Sequence, residues 1–436
     1  MRNPNLRNTL LTICLAAASL SAQTTVAPQV RFKTNIGDID VTLQTASAPA
    51  TVANFLNYMN KGSYANSIIH RSVPGFVIQG GGFQLVSGVP TAIPEDPAVM
   101  NEFKISNTRG TLSMARLGGQ VNSATNQWFF NLADNSANLD NTDQGFTVFG
   151  KVSNNNSLTI MDAIAKLPIQ ALGASPLDTV PYSGSSFVIV NNILYIPQAS
   201  AAAVQSAASF TSSTNGIAPG EFLVIYGQNL GPATLTTLTL DSQGVTNKFL
   251  GGTRVLFNGI AAPLVYTSTG QVSAIVPQNL AGRISASIVV ENQGVQSAGI
   301  TLPVVASNPA IFTQNSSGSG DAVIIRLDAS LVTTANPAKL DDILILYGEG
   351  YGAATDETSV PDGTIISTSL PVPAEKVLLL IDGTVYPTLY AGAAGGLVNG
   401  VLQVNFKVPQ LAAGSHKIQL QVGQVKSPAT VNLQTR

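Results

Sequence analysis

The second half of the chain contains an internal repeat, which constrains the fold more than any other feature of the sequence. The run VIYGQNLG at residues 224–231 recurs as ILYGEGYG at residues 345–352. Two further matches follow in the same order, pairing Asn258-Gly259 with Asp382-Gly383 and Val276-Pro277 with Val408-Pro409. Both copies consist of short β-forming runs broken by Gly, Asn and Pro. Each copy spans roughly 100 residues, which is the size of a β-sandwich domain.

We therefore predict two β-sandwich domains, at residues 215–306 and 307–436, the second with an insertion near residues 392–400. Residues 198–214 read QASAAAVQSAASFTSST, which is the small and polar composition of a linker. A separate domain is expected at residues 30–197, which contain the only Trp of the chain and most of its Phe.

The composition of the chain argues against disorder and against nucleic-acid binding. Hydrophobic residues make up 44% of the chain and charged residues only 10%, so sizeable cores can be buried. The formal net charge is −2, which provides no basic surface for a nucleic acid.

Residues 1–22 have the pattern of a secretory signal peptide. Arg2 and Arg7 precede a short apolar run at residues 9–20, and small residues surround the expected cleavage site. The only cysteine, Cys14, lies within this run. We expect an exported protein that is periplasmic, cell-surface or secreted, with no membrane span after cleavage. An uncleaved N-terminal anchor is the alternative, although the run is shorter than a membrane helix requires.

The domain at residues 30–197 begins with a predicted hairpin and a predicted helix. Apolar residues alternate at 30–34 and 39–43 around a turn, as in paired strands. An apolar stripe at helical spacing follows over residues 50–59, and a second helix is predicted at 158–167. Many short strands complete the domain, so we expect a mainly β barrel closed at one end by a helix.

Three segments of this domain carry recognisable motifs. Residues 69–81 read IHRSVPGFVIQGG, residues 110–116 read GTLSMAR, and residues 122–131 read NSATNQWFFN. These segments resemble the signature stretches of the cyclophilins, and the resemblance continues through residues 48–55 and 147–152. It implies a closed eight-stranded barrel with capping helices. It also implies peptidyl-prolyl cis-trans isomerase (rotamase) activity on proline-containing polypeptides, with a role in protein folding.

Isomerisation of an X-Pro bond makes simple chemical demands. The barrier of about 20 kcal/mol comes from amide resonance, so neither a covalent step nor a cofactor is needed. A donor aimed at the prolyl nitrogen weakens the resonance, and an apolar pocket holds the proline ring. The site must fit the twisted amide better than the planar one. A permanently charged, planar guanidinium suits the first task.

The resemblance assigns roles to ten residues of this chain. Arg71 faces and polarises the prolyl amide nitrogen, and Gln79 lies beside it. The catalytic set is Arg71, Phe76 and Gln79. The substrate-binding set is Val77, Ala115, Arg116, Gln127, Phe129, Leu139 and Phe146. Among these, Arg116 is expected to act through its main chain. Asn138 stands where the best-known eukaryotic members have Trp, and therefore weak inhibition by cyclosporin is expected.

Metal-dependent and triad chemistry have little support in the sequence. The chain has two His, at positions 70 and 416, and we predict no metal site. The two repeats resemble bacterial immunoglobulin-like modules of the IPT kind, expected to act as spacers or as docking surfaces for the cell envelope or a polysaccharide. Two alternatives remain open: a proline-segment binder without turnover, and a cell-surface adhesion protein.

Overall fold

The computed structural model describes residues 27–355, 360–367 and 369–436. The predicted signal peptide lies outside the described residues. The chain divides into two compact units, with the boundary between Ile196 and Pro197. Within the described ranges, no helix is both long enough and apolar enough to cross a membrane.

The N-terminal unit is built from short strands and three α-helices. Its elements in chain order are β1 (Gln29–Thr34), β2 (Asp38–Leu43), α1 (Pro49–Asn60), β3 (Ser67–Ile68), β4 (Arg71–Val73), β5 (Val77–Gly80), β6 (Phe83–Val86), β7 (Val89–Ala92), β8 (Thr111–Met114), β9 (Trp128–Asn131), α2 (Ser136–Leu139), β10 (Val148–Val152), α3 (Asn155–Ala165), β11 (Ile169–Gln170), β12 (Val180–Ser183), β13 (Ser186–Phe187) and β14 (Ile189–Tyr195). The predicted hairpin and both predicted helices are present. The second helix begins three residues early, because the Asn154 side chain caps it by accepting a hydrogen bond from the Ser157 amide at 2.8 Å.

Eleven strands form one strongly curled sheet, in the order β4-β5-β9-β8-β10-β2-β1-β14-β3-β6-β7. The curl is evident at the two residues that join β3 to β4. The Ile69 amide donates to the Val188 carbonyl, beside β14, whereas the next amide, of His70, donates to Gln79 in β5. The mainly β architecture is thus confirmed. The strand count exceeds the expected eight, because β3 and β4 are pieces of one extended run and the β6–β7 hairpin extends the edge. Complete closure of the barrel stays a prediction.

The core of this unit is aromatic. Strands β1 and β2 bury every second residue, as the sequence alternation predicted. Phe32 packs edge-on against Trp128, with ring centroids 5.0 Å apart, and Phe55 of α1 lies 5.9 Å from the Phe32 ring. These contacts hold α1 against the sheet and support β9 from behind.

The C-terminal unit consists of two β-modules. The first β-module contains β15 (Gln198–Ser206), β16 (Phe222–Gln228), β17 (Thr236–Thr237), β18 (Thr253–Phe257), β19 (Ile260–Ala261), β20 (Leu264–Thr267), β21 (Gln271–Ile275), β22 (Ser285–Asn292), β23 (Val295–Gln296) and β24 (Ile300–Pro303). The second β-module contains β25 (Ala310–Ile311), β26 (Gly320–Asp321), β27 (Ile324–Arg326), β28 (Ile343–Glu349), β29 (Val377–Ile381), β30 (Thr384–Tyr386), β31 (Thr388–Ala393), β32 (Leu402–Lys407), β33 (Gly414–Val422), β34 (Val425–Lys426) and β35 (Val431–Thr435). Short 3-10 turns at Ser213–Asn215 and Gln278–Leu280 complete the first.

Each β-module packs two sheets around its own core. In the first, β15-β16-β21-β20-β17 faces a sheet in which β18 and β22 are central. In the second, β25-β28-β32-β31 faces β26-β35-β33-β29-β30. The same hairpin turn occurs in both copies of the repeat. Asn258-Gly259 and Asp382-Gly383 each have two positive φ angles in the turn of a two-residue hairpin.

The segment predicted as a linker is in fact largely a strand. Residues 198–206 form β15, which pairs with β16 from Gln198↔Gln228 to Ser206↔Leu223. Its alanine-rich composition does not indicate a strand, but Val204 is fully buried in the module core and the ladder pairs both ends of the strand. The first β-module therefore begins at β15, well before residue 215.

The two β-modules share a buried joint. An apolar cluster combines side chains of both, including Phe222 and Phe312, whose ring centroids are 6.4 Å apart. Glu349 of the second module is buried within it and accepts hydrogen bonds from the Ser206 hydroxyl (2.7 Å) and the amides of Ala208 (2.9 Å) and Phe222 (3.0 Å). The two β-modules thus contact each other directly through a shared apolar cluster and hydrogen bonds.

Candidate active site

Four neighbouring strands bring the predicted catalytic residues together. The registers place Arg71 of β4 opposite Gln79 of β5, Gln79 opposite Phe129 of β9, and Phe129 opposite Ser113 of β8. Residues directly opposite each other project from the same face of a sheet. Residues as far apart in sequence as Arg71 and Phe129 therefore meet on one surface.

A short polar chain runs across this surface. The Gln79 side-chain oxygen accepts a hydrogen bond from Nη1 of Arg71 at 3.4 Å, and its Nε2 donates to Oε1 of Gln127 at 2.9 Å. Arg71 and Gln79 are half-buried, so the guanidinium is oriented and yet still reaches solvent. In the described part of the chain this is the one side-chain hydrogen bond that Arg71 makes, and a guanidinium has five N–H donors.

An apolar cluster separate from the main core lies next to the polar chain. Its buried members are Val77, Phe129 and Leu139, and its half-buried members are Phe76, Ala115 and Phe146. The Phe129 and Phe146 rings meet edge to face, with centroids 5.9 Å apart. All six residues belong to the predicted site, so the structure brings the whole predicted apolar set into one place. Asn138 is exposed on α2, beside the cluster.

Three buried asparagines that the sequence reading missed support this cluster from below. Asn135 donates both to the Phe76 carbonyl (2.9 Å) and to the Asn131 side-chain oxygen (2.7 Å). Asn131 donates in turn to Asn107 (3.2 Å), and Asn107 donates to the Phe146 carbonyl (3.0 Å). The backbones of two pocket residues are therefore tied to one polar network. The one signal in the sequence was a polar residue, Asn131, directly after the apolar run WFF.

The main chain of β8 and β9 borders the same surface. The Ala115 amide donates to the Gln127 carbonyl at 2.9 Å, which fixes the predicted groove residues at the strand ends. Arg116 is predicted to act through its main chain, but its side chain also makes contacts near the site. Its side chain is only 3% exposed and donates to backbone carbonyls in residues 142–145.

His70 lies behind Arg71 and is fully buried. Burial, and next the positive charge of Arg71, lower the pKa of His70 to about 4, so the imidazole is neutral at pH 7. Its ring packs edge-on against Phe83 at 5.1 Å. These contacts give His70 a packing role behind Arg71.

Glycines allow β5 to leave the site beside β9. A Cβ on Gly80 would lie 2.6 Å from the Trp128 ring, and one on Gly82 would lie 2.9 Å from Cδ of Gln127. The close approach keeps Gln127 within reach of Gln79. Among the described residues, no group of three or more His, Cys, Asp or Glu could hold a metal ion.

Comparisons with known proteins agree with this geometry. Residues 29–182 match the family model described as cyclophilin type peptidyl-prolyl cis-trans isomerase/CLD. A peptidyl-prolyl cis-trans isomerase of Acinetobacter baylyi is 39% identical over 163 residues, covering 37% of this chain and 84% of that protein. Peptidyl-prolyl cis-trans isomerase A of Dickeya dadantii is 39% identical over 173 residues, covering 39% of this chain and 86% of that protein.

Among solved structures, a cyclophilin type isomerase of Cryptosporidium parvum matches 39% of this chain and 97% of its own, with 23% identity and a TM-score of 0.30. The matches span 84% and 86% of the two bacterial relatives at 39% identity. Residues 29–182, which the family model matches, contain the polar chain and the apolar cluster described above. Through its N-terminal unit, this chain belongs to the cyclophilin family of peptidyl-prolyl cis-trans isomerases.

Proposed function

We propose that this isomerase acts through Arg71, which polarises the prolyl amide nitrogen while the apolar cluster holds the proline ring. The observation that carries the proposal is the half-buried guanidinium held by Gln79 at the edge of that cluster. As the C–N bond rotates, the nitrogen becomes pyramidal and its lone pair localises. An N–H donor aimed at this lone pair stabilises the twisted amide more than the planar one, and that difference lowers the barrier.

The polar chain supplies the preorganisation that such a mechanism requires. Gln79 is held at both ends, by Arg71 and by Gln127, so its orientation is set before substrate arrives. The apolar residues exclude water from the proline ring and lower the local dielectric, which strengthens the bond to the prolyl nitrogen. Proline-containing polypeptides are the substrates of this enzyme class, and no cofactor takes part in the proposed step.

We propose further that the substrates are exported proteins. The support is the signal-peptide pattern of residues 1–22, which would place the enzyme in the periplasm, on the cell surface or outside the cell. Measuring the protein in cytoplasmic and exported fractions, with and without residues 2–22, tests this. Retention of the intact protein in the cytoplasm contradicts it.

For the two β-modules we propose an immunoglobulin-like architecture and a role as a spacer or a docking surface at the cell envelope. Their two-sheet packing and paired hairpin turns support the architecture. Binding of residues 197–436 to isolated cell envelopes, compared with the N-terminal unit alone, tests the docking role.

The experiment for the catalytic proposal is a protease-coupled proline isomerisation assay on the full chain. Arg71→Ala is expected to lower kcat/KM by about 100-fold or more, because the single donor to the prolyl nitrogen is lost. Arg71→Lys keeps the charge but not the planar fork, so most of the activity is expected to disappear as well. Arg283→Ala, an exposed arginine of the first β-module, is the matched control and is expected to be fully active.

Circular dichroism of each variant shows whether the fold is intact. An Arg71→Ala protein that is folded and as active as the natural chain removes the arginine from the mechanism. A folded natural chain without activity would favour the alternative of a proline-segment binder.

A further inference from the structure

The side chain of Arg116 enters the wall of the proline pocket instead of pointing to solvent. It follows β8, and its guanidinium donates from Nη2 to the carbonyls of Thr142 (3.0 Å), Asp143 (2.8 Å) and Gly145 (3.3 Å). These carbonyls belong to one loop, residues 142–146, which we name the wall loop. With 3% of the side chain exposed, the arginine is almost as buried as a core residue.

The same guanidinium lies over the ring of Phe146, the last residue of the wall loop. Cζ of Arg116 is 4.2 Å from the ring centroid, which is a cation–π distance. The Phe146 ring also makes the edge-to-face contact with the Phe129 ring of the apolar cluster. The Phe146 ring thus lies between the Arg116 guanidinium and the Phe129 ring. Arg116 can therefore influence substrate binding through Phe146 without contacting the substrate.

The wall loop has a backbone that needs such support. Asp143, Gln144 and Gly145 have successive φ angles of 47°, 67° and 77°, all in the left-handed region. Two of these residues carry a Cβ, for which that region is unfavourable. A run of this kind persists only where surrounding contacts enforce it. Hydrogen bonds from Arg116 to carbonyls within this run stabilise its left-handed conformation.

The charge of Arg116 is balanced only loosely by an acid. Nη1 lies 3.7 Å from Oδ2 of Asp143, a carboxylate that is 40% exposed and also accepts from the Gly119 amide at 3.0 Å. The short contacts of the guanidinium are those to carbonyls. A buried guanidinium requires such hydrogen bonds, so losing the side chain would release the loop and not merely a surface ion pair.

We propose that Arg116 is a positioning residue, whose guanidinium holds the wall loop and so presses Phe146 against the proline pocket. The inference rests on the proposed pocket but not on the role of Arg71. Removal of the guanidinium lets the wall loop relax and the pocket widen, which weakens the binding of the proline ring. The rotation step, which depends on Arg71, changes little. The expected signature is therefore a rise in KM with kcat nearly unchanged.

The test measures kcat and KM separately in the full chain, by NMR exchange on an Ala-Pro peptide over a range of concentrations. Arg116→Met is expected to raise KM about tenfold, while kcat stays within about threefold of the natural value. Arg116→Lys keeps a cation near the ring but loses the planar guanidinium that lies over Phe146, so an intermediate KM is expected. Arg109→Met is the control, because Arg109 also bonds a carbonyl (Leu132, 2.7 Å) and an aspartate (Asp162), but both partners lie outside the wall loop.

A double-mutant cycle with Phe146→Leu identifies the path of the effect. If Arg116 acts through Phe146, adding Arg116→Met to Phe146→Leu changes KM by less than about twofold. A tenfold rise in that background, an unchanged KM in Arg116→Met, or a loss confined to kcat each overturns the proposal. If Arg116→Met does not fold, Arg116→Lys with and without Phe146→Leu gives the same decision. Loss of activity in Arg71→Ala bears only on the catalytic proposal.

Discussion

At the scale of single residues, the active site places a permanent cation in front of a buried, neutral imidazole. Arg71 and His70 are adjacent in the chain, and the positive charge of the first opposes protonation of the second. The lowered pKa of His70 is therefore expected to make the stability of this region depend on pH.

We predict that the N-terminal unit loses stability on mild acidification. The pKa of His70 is about 4 in the folded protein and 6.5 for an unperturbed His. Between these values the unfolded chain binds a proton that the folded chain does not, so stability falls as the pH drops from 6.5 to 4. The full loss is on the order of 3 kcal/mol. Urea unfolding of the N-terminal unit at several pH values measures it.

His70→Gln removes the titrating group and is the control for this prediction. The slope of stability against pH between 6.5 and 4 is expected to become flatter in the variant. An equal slope in both proteins would assign the pH dependence to other groups.

At the scale of elements, strands and loops hold the pocket together through polar groups below it. The strand pairs set the positions of Gln79 and Phe129, but α2 and the wall loop belong to no sheet. Asn107, Asn131 and Asn135 connect these segments to the strands by side-chain hydrogen bonds. Satisfied networks of this kind are rigid, and a single missing member leaves buried groups without partners.

We predict that Asn135→Ala destabilises the N-terminal unit by about 1–3 kcal/mol, because the buried Asn131 side-chain oxygen loses its donor and the Phe76 carbonyl loses one of two donors, keeping the Leu132 amide. The matched control is Asn138→Ala, an exposed asparagine of the same short helix, with an expected change within about 0.5 kcal/mol. Denaturant unfolding measures both. Equal losses of stability in Asn135→Ala and Asn138→Ala would mean that the asparagine network does not stabilise the N-terminal unit.

At the scale of the whole molecule, the C-terminal unit contains two buried carboxyl groups at its joint. Glu349 accepts three hydrogen bonds from the first β-module, and Glu221 accepts from the Ala218 amide (2.8 Å) and from Asn308 (2.9 Å). Burial raises the pKa of Glu349 to about 7. Burial, and next the charge of Glu349, raise the pKa of Glu221 well above its usual range. The joint therefore holds two carboxyl groups whose pKa values are both raised by burial.

We predict that the C-terminal unit loses stability as the pH rises from about 4.5 to about 7, the opposite direction to the N-terminal unit. In that window folded Glu349 keeps a proton that the unfolded chain has released, so stability present below pH 4.5 is lost as the pH rises through 7. Calorimetry of the full chain at pH 5 and pH 8 is expected to move the two unfolding transitions in opposite directions.

Glu349→Gln tests which group is responsible. Its amide accepts hydrogen bonds at one oxygen only, so the variant is expected to be less stable at pH 5 but to depend less on pH. If the pH dependence of the second transition is unchanged in Glu349→Gln, the joint carboxyl groups do not cause it.

The amino-acid sequence by itself determined the family and the two-copy character of the C-terminal half, and it predicted ten site residues, whose roles stay a prediction. Short contiguous motifs carry this information, because they specify local backbone geometry. The hairpin turns at Asn258-Gly259 and Asp382-Gly383 are an example.

Only the tertiary structure decided the strand at residues 198–206, the asparagine network, the burial of Arg116 and the joint at Glu349. Each depends on a partner far away in the chain: Val204 on a core that its neighbours in sequence do not reveal, and Glu349 on amides of the other β-module. Composition and periodicity report what a segment prefers in isolation. A long-range hydrogen bond or a shared core overrides that preference, and it can be seen only when the chain is folded.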